Sequence, residues 1–247
     1  DALKVGTEYF YTESDGDPWV LGTIPDGTRD DGKDDGDAED DTEVKRKRTF
    51  AGMVLPKADF AGADVSRERF SATVLSDANF AGANLTDSAF VGALLLGASF
   101  RGANLTRGYI ASCAMKRADL TNAVLDNATV ISTDISQAAL NDLALNNVTM
   151  KAVSISDCGT RNLSITGGTY KAVTFRRLGI YDTSIENVDF FMCIFPKTVF
   201  RNVALRNVTF KACDLKRLTL TDCTADKVTY NVLKGCGADL GSVSIAE

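Results

Sequence analysis

"ANFAGANLTDSAFVGALLLGASFRGANL", residues 78–105, returns a bulky apolar residue at every fifth position: Phe80, Leu85, Phe90, Leu95, Phe100 and Leu105. An α-helix brings apolar residues back at intervals of three and four, and a strand at every second residue, so neither explains this register. Stepped outward in fives, the register runs from Phe50 to Tyr230 without insertion or deletion, and of its centres only Thr160 and Ala225 are not large and apolar. The residue two before each centre is small in the first half, as at Ala58, Ala78, Ala98 and Ala118. It grows in the second, as at Leu143, Val173, Val203 and Leu218. The other three places are mostly polar or glycine. Two inward places and three outward ones therefore make a unit, and such internal repetition decides the fold.

The units ADFAG (58–62), ANFAG (78–82), ANLTD (83–87), ANLTR (103–107) and ADLTN (118–122) fit the pattern A(D/N)LXX. On these motifs the chain resembles the pentapeptide repeat family over about three quarters of its length. The resemblance implies an all-β fold, a right-handed quadrilateral parallel β-helix of about nine coils. Four units make each coil, and coils pair with those above and below. The expected organisation is an acidic N-terminal arm over 1–45 with an aromatic capping or docking segment, the repeat β-helix over 46–230, and a C-terminal cap over 231–247. With four units per coil, centres ten apart face each other, so Phe60, Phe80 and Phe100 oppose Phe50, Phe70 and Phe90. Leu85, Leu95 and Leu105 fill the other axis, and Phe200 and Phe210 continue the core.

Hydrophobic residues at 45% and charged residues at 24% are a soluble globular balance. No apolar run approaches the ~20 residues of a membrane span. Charge is uneven: residues 1–45 carry 15 acids against 4 bases, so a chain of net −6 divides into a strongly acidic arm and a body of net +5. The chain has no histidine, which removes imidazole base catalysis and histidine-ligated metals. No nucleophile with a base partner, phosphate-cradling glycine loop or inward carboxylate pair is legible, so the reading is a non-enzyme with no cofactor and no metal site. The run RDDGKDDGDAEDDTE (29–43) fails the calcium-loop pattern: counted from Asp31, Lys33 stands at the third ligand position and Thr42 at the closing glutamate.

Five of the six cysteines, Cys113, Cys158, Cys193, Cys213 and Cys223, occupy the place two before a centre, where alanine or valine stands elsewhere. They read as small buried hydrophobes. Cys193 and Cys213, one coil apart, and Cys223 with Cys236 are candidate bridges. The one dense aromatic cluster outside the repeats, Tyr9, Phe10, Tyr11 and Trp19, suits two short strands that cap the first coil or dock a partner. Phe191 occupies an outward place. These five aromatics are the candidate partner-binding residues.

The expected function is a rigid, non-catalytic scaffold attached to a larger protein assembly, with no nucleic-acid partner and no membrane span, at most peripheral to a membrane complex. The chain begins at Asp1 rather than Met, so export or organellar import with loss of a leader is expected. By resemblance a lumenal accessory subunit of a photosystem is favoured, with the thylakoid lumen preferred over the cytoplasm. Two alternatives come from the same resemblance. One is a gyrase-binding DNA mimic of the quinolone-resistance type, whose acidic rod is opposite in sign to the body here; the other is a secreted bacterial effector.

Overall fold

The computed structural model describes strands β1 (Leu3–Lys4), β2 (Tyr9–Thr12) and β3 (Pro18–Leu21) and residues 50–246. The acidic run 30–43 and the basic stretch KRKR that follows it at 45–48 lie outside the described residues. From Phe50 the chain winds into a parallel β-solenoid of about nine turns. Partners are twenty residues apart throughout: Arg69 pairs with Ala89, Ala89 with Tyr109 and Tyr109 with Thr129. The column continues through Thr149, Thr169 and Asp189 to Thr209. Each coil thus has four sides, numbered here by their centres: Phe70 lies on side one, Leu75 on side two, Phe80 on side three and Leu85 on side four.

The five-residue period follows from how each unit spends its backbone polar groups. The N–H of a centre donates one coil up (Leu55 to Val74 O, 2.7 Å), and the N–H before a centre donates one coil down (Val74 to Met53 O, 2.9 Å). The residue two past the centre then turns the corner with positive φ, from Lys57 at 58° to Asp222 at 51°. Left-handed backbone costs an L-residue about 1–2 kcal/mol, which is why Gly, Asn and Asp recur there. In the first half the centre carbonyl also accepts from the N–H three residues on (Ala63 to Phe60 O, 3.0 Å), closing a β-turn whose third residue needs φ > 0.

The D/N of the motif has its own cause. Asn79 accepts from the Ala81 N–H (3.1 Å), bracing the corner, while its amide donates down to Asp59 (2.9 Å), and Asn84 repeats both bonds with Thr86 and Asp64.

The core is continuous. Phe60, Phe80, Leu85, Phe90, Leu95, Phe100, Leu105, Phe200 and Phe210 are all buried. On side one, Phe50, Phe70 and Phe90 stack at 4.6 Å; on side three, Phe60, Phe80 and Phe100 stack at 4.7 and 5.0 Å. The two columns meet edge to face across the tube, at 5.7–5.8 Å. Rings placed in this way gain about 0.5–1.5 kcal/mol per pair beyond area burial.

All six cysteines are free thiols, so neither candidate bridge forms. Polar residues two before a centre donate instead to the carbonyl of a centre in the coil below. Cys158 reaches Ile135 O (3.0 Å) and Cys193 reaches Tyr170 O (3.1 Å), as Thr73 reaches Phe50 O and Thr198 reaches Phe175 O (both 2.6 Å). Burial pushes the Cys158 thiol up to about 11, so it stays a neutral donor across the ordinary pH range.

Elements at both ends extend the ladder. β1 continues the ladder below the first coil, pairing in parallel with Ala58–Asp59, and β2 and β3 pair antiparallel with Tyr11 opposite Trp19. At the other end the five-residue register, read from the sequence through Tyr230, stops at Ala225. Asp226 caps helix α1 (Lys227–Gly235), accepting from the N–H of Val228 (2.8 Å) and Thr229 (2.9 Å). The same carboxylate and the Thr229 hydroxyl accept the Asn207 and Val208 N–H groups of the last complete coil (2.6 and 3.0 Å). Leu233 plugs the core, and Val243–Ile245 pairs with Cys223–Ala225. The helix uses the open N–H groups that a further coil would have taken.

Candidate protein-binding surface

Three places of every unit point outward, so each side of the tube presents columns of side chains at about 4.8 Å spacing. Their chemistry differs between columns. On sides three and four the columns are filled by inter-coil polar bonds: Asn162 to Asp142 (2.7 Å), Asn202 to Asp182 (2.9 Å), Asn207 to Asn187 (2.8 Å) and the ion pairs Arg107–Asp87 (2.7 Å) and Arg206–Glu186 (2.7 Å). The Arg107 guanidinium holds the Asp87 carboxyl below the usual range. These groups satisfy one another.

Side two holds one such ion pair, Arg177–Asp157, but it and its corner with side one are otherwise different. Over the first coils the place before the centre carries Val54, Val74, Leu94 and Ala114 in one paired column, with Val54 and Leu94 56% and 44% exposed. Pro56, Ser76 and Leu96 lie beyond the centres of the same coils, so the lower part of side two is largely apolar, with Lys57 and Asp77 exposed at its corner with side three. Over the last coils the same corner becomes cationic. Lys151, Lys171, Phe191 and Lys211 form one paired column. Arg176, Lys197, Lys216 and Arg217 are exposed on side two beside it.

Within that cationic area stands an apolar boss. Phe191, Met192 and Ile194 are 37%, 53% and 41% exposed. The Lys171 ammonium lies over the Phe191 ring, 5.4 Å from its centroid. Met192 is at a left-handed corner, φ 54°, in a column otherwise made of Gly52, Ala72, Gly92, Ser112, Ser132, Ala152, Ala172 and Ala212. Ile194 sits between Thr174 and Asp214.

Of the aromatics singled out in the sequence, Phe191 joins this boss. For Tyr9, Phe10, Tyr11 and Trp19 the structure describes the backbone of β2 and β3 alone. Met192 and Ile194 are not among the sequence candidates; the signal was there, since each is a large apolar residue at an outward place of an otherwise regular unit. Among the described residues no group of cysteine and carboxylate side chains is arranged to hold a metal ion, and no helix is long and apolar enough to cross a membrane.

The family model of pentapeptide repeats matches the chain in 8 copies, with residues 55–90 and 73–108 matched. The chain is a pentapeptide repeat protein. As a fold this pentapeptide repeat protein is similar to HetL of the cyanobacterium Nostoc sp. strain PCC 7120, a pentapeptide repeat protein involved in regulating heterocyst differentiation. The identity is 19% and the TM-score 0.51, over 71% of this chain and 84% of that one. A trypsin-treated form of QnrB1, a plasmid-mediated fluoroquinolone resistance protein, is 20% identical with TM-score 0.46, over 80% of this chain and 94% of its own. A pentapeptide repeat protein of the Arabidopsis thaliana thylakoid lumen is 30% identical over 44% of this chain and 65% of its own, with TM-score 0.19. No curated protein matches the sequence.

Proposed function

We propose that this pentapeptide repeat protein is a non-catalytic scaffold that binds other proteins along side two of its tube. The observation that carries the reading is the division of labour among the sides. Sides three and four carry most of the inter-coil polar bonds, while side two, apart from the Arg177–Asp157 pair, and its corner leave paired columns of large apolar side chains in water. Isolated exposed apolar residues are ordinary on any protein, but a paired column of them on a rigid face is the mark of a contact surface.

A DNA mimic is not supported, because the exposed side chains of the last coils on this face are mainly cationic, the sign of a partner for polyanions rather than an imitation of one. For the setting we favour a lumenal accessory subunit of a photosynthetic complex, on the acidic balance and histidine-free composition of the chain. The test is size fractionation of a native extract with detection of this chain by mass spectrometry. The expected result is elution far above the size of a free 247-residue chain, together with photosystem subunits. Elution alone as a monomer would remove the scaffold reading. Co-elution with other proteins would keep it and discard the photosynthetic setting.

A further inference from the structure

We infer that the boss formed by Phe191, Met192 and Ile194, with the lysines around it, is a docking site for an acidic segment of a partner protein that presents one or two apolar side chains. The inference rests on the scaffold reading and adds the chemistry of the partner. Three observations support it. First, the boss is large and apolar where the fold requires nothing large. The Met192 corner is filled by Gly, Ala or Ser in every other described coil, and the places held by Phe191 and Ile194 carry lysine or small polar residues in the neighbouring coils. Their exposure at 37–53% therefore serves no packing purpose within the chain.

Second, the charge around the boss is positive on the coil below, on its own coil and on the coil above, through Lys171, Lys197 and Lys211 with Lys216. Lys171 is held over the Phe191 ring, which keeps its charge at the rim of the apolar patch rather than away from it. Apolar centre and charged rim are the two parts of a protein interface, and opposite charge on the partner sets its approach and orientation.

Third, the site is not uniformly basic. Asp214 stands directly above Ile194, and Asp189, which accepts from Thr209 (2.6 Å), lies on the Phe191 coil. A phosphate backbone or an anionic bilayer would meet these carboxylates as well as the lysines. Nor does an aliphatic pair beside a single ring make a stacking platform for bases. A polypeptide can place its own charges between them.

The experiment uses the full chain and a fluorescein-labelled peptide of about twenty residues, glutamate-rich with a central Leu-Phe pair, read by anisotropy at low ionic strength. The peptide is expected to bind, and its lysine-rich counterpart is expected not to. Phe191→Ser with Ile194→Ser, and separately Lys171→Glu with Lys211→Glu, are each expected to weaken binding about 10-fold or more, the scale of losing a central anchor. Val124→Ser, an exposed apolar residue on side four, should leave it unchanged. Far-UV circular dichroism and melting of each variant confirm that the tube is intact.

Unchanged binding by both double variants would overturn the proposal. So would tighter binding to (dT)20 or to phosphatidylserine vesicles, or peptide binding that emerges only when residues 30–43 are deleted, which would assign the boss to this chain's own acidic run. Loss of peptide binding with retention in a large native assembly would overturn this site and leave the scaffold reading standing.

Discussion

Between Phe50 and Phe100 the core rings stack on opposite sides of the tube, one and three, and touch edge to face across its axis. Between Tyr170 and Phe210 they stack on adjacent sides, one and two, with Phe175 over Phe195 and Phe190 over Phe210, both at 5.1 Å. The place two before the centre changes in step. It is mostly alanine where opposed rings fill the interior, and largely valine, leucine or cysteine where sides three and four bring only Ile, Leu and a single Phe200 to the axis.

The outside follows the same division. Asx side chains brace the corners of the first half, at Asp59, Asp64, Asn79, Asn84, Asn104 and Asp119. In the second half Ser, Thr, Ala and Val replace most of them, and in Gly179–Phe191 and Thr198–Lys211 the ladder pairing resumes on both sides of corners that still turn with positive φ at Asp182, Asn187, Asn202 and Asn207. The difference teaches that the fold specifies an interior volume and a ladder, which two separate vocabularies satisfy.

Substitution of a side-three ring should separate the two constructions most widely. Among the described residues Phe80 touches four other rings, at 4.7, 5.7, 5.7 and 5.0 Å, whereas Phe200 touches only Phe195, at 6.2 Å. Phe80→Ala is expected to cost about 5 kcal/mol and Phe200→Ala about 3 kcal/mol, by denaturant titration. Equal losses would show that ring pairing contributes nothing beyond burial.

A second contrast is between glycines. An added Cβ at Gly92, with φ +65°, would make only an ordinary 4.0 Å contact with the Ala72 N, and Ala72 already fills the equivalent corner one coil below. An added Cβ at Gly168, with φ +90°, would run into the Val148 backbone. Gly168→Ala is expected to cost about 2–3 kcal/mol and Gly92→Ala about 1 kcal/mol or less, measured by thermal melting.

Tyr170 should respond in the opposite direction. Its hydroxyl is buried without a hydrogen-bond partner, and burial pushes its ionisation up. Tyr170→Phe removes that orphan and is expected to stabilise by about 1 kcal/mol, raising Tm by about 2–4 °C.

The smallest effect is at the C-terminal cap. Burial raises the Asp226 carboxyl, but hydrogen bonds from the Thr229 hydroxyl and from the Thr229, Asn207 and Val228 N–H groups outweigh it and hold it down at about 2. A carboxyl depressed in the folded state contributes its stability above the unfolded value of about 3.9, and that contribution disappears as pH falls from about 4 to about 2. Asp226→Ala should cost about 1 kcal/mol at pH 7 and lose its effect near pH 2.

The tube was legible in the sequence because each centre is fixed by burial on one repeat, and Phe80 or Leu85 cannot move by one place without facing water. The register was over-read by one unit, since Tyr230 keeps the spacing while Asp226, an N-cap residue, ends the strand and starts a helix. Cys193 and Cys213 lie one coil apart as the spacing requires and interact with each other and with carbonyls as free thiols, whereas Cys236 donates to Phe210 O and has Cys213, not Cys223, as its neighbour, a choice that spacing does not reveal. The candidate surface was half legible. Phe191 was visible as an outward aromatic, whereas Met192 and Ile194 gain meaning only when a column of small residues, twenty apart, is laid beside them.

That period also governs how the molecule could change. Leu94 and Ile194 share one column because the chain between them makes whole turns, so the apolar stripe and the boss in its cationic surround lie on the same side of the tube. Duplication of a full twenty-residue turn would slide one farther from the other along a common line. Insertion or loss of a single pentad would swing everything beyond it by a quarter revolution, leaving the interior packed and the two surfaces aimed at different neighbours.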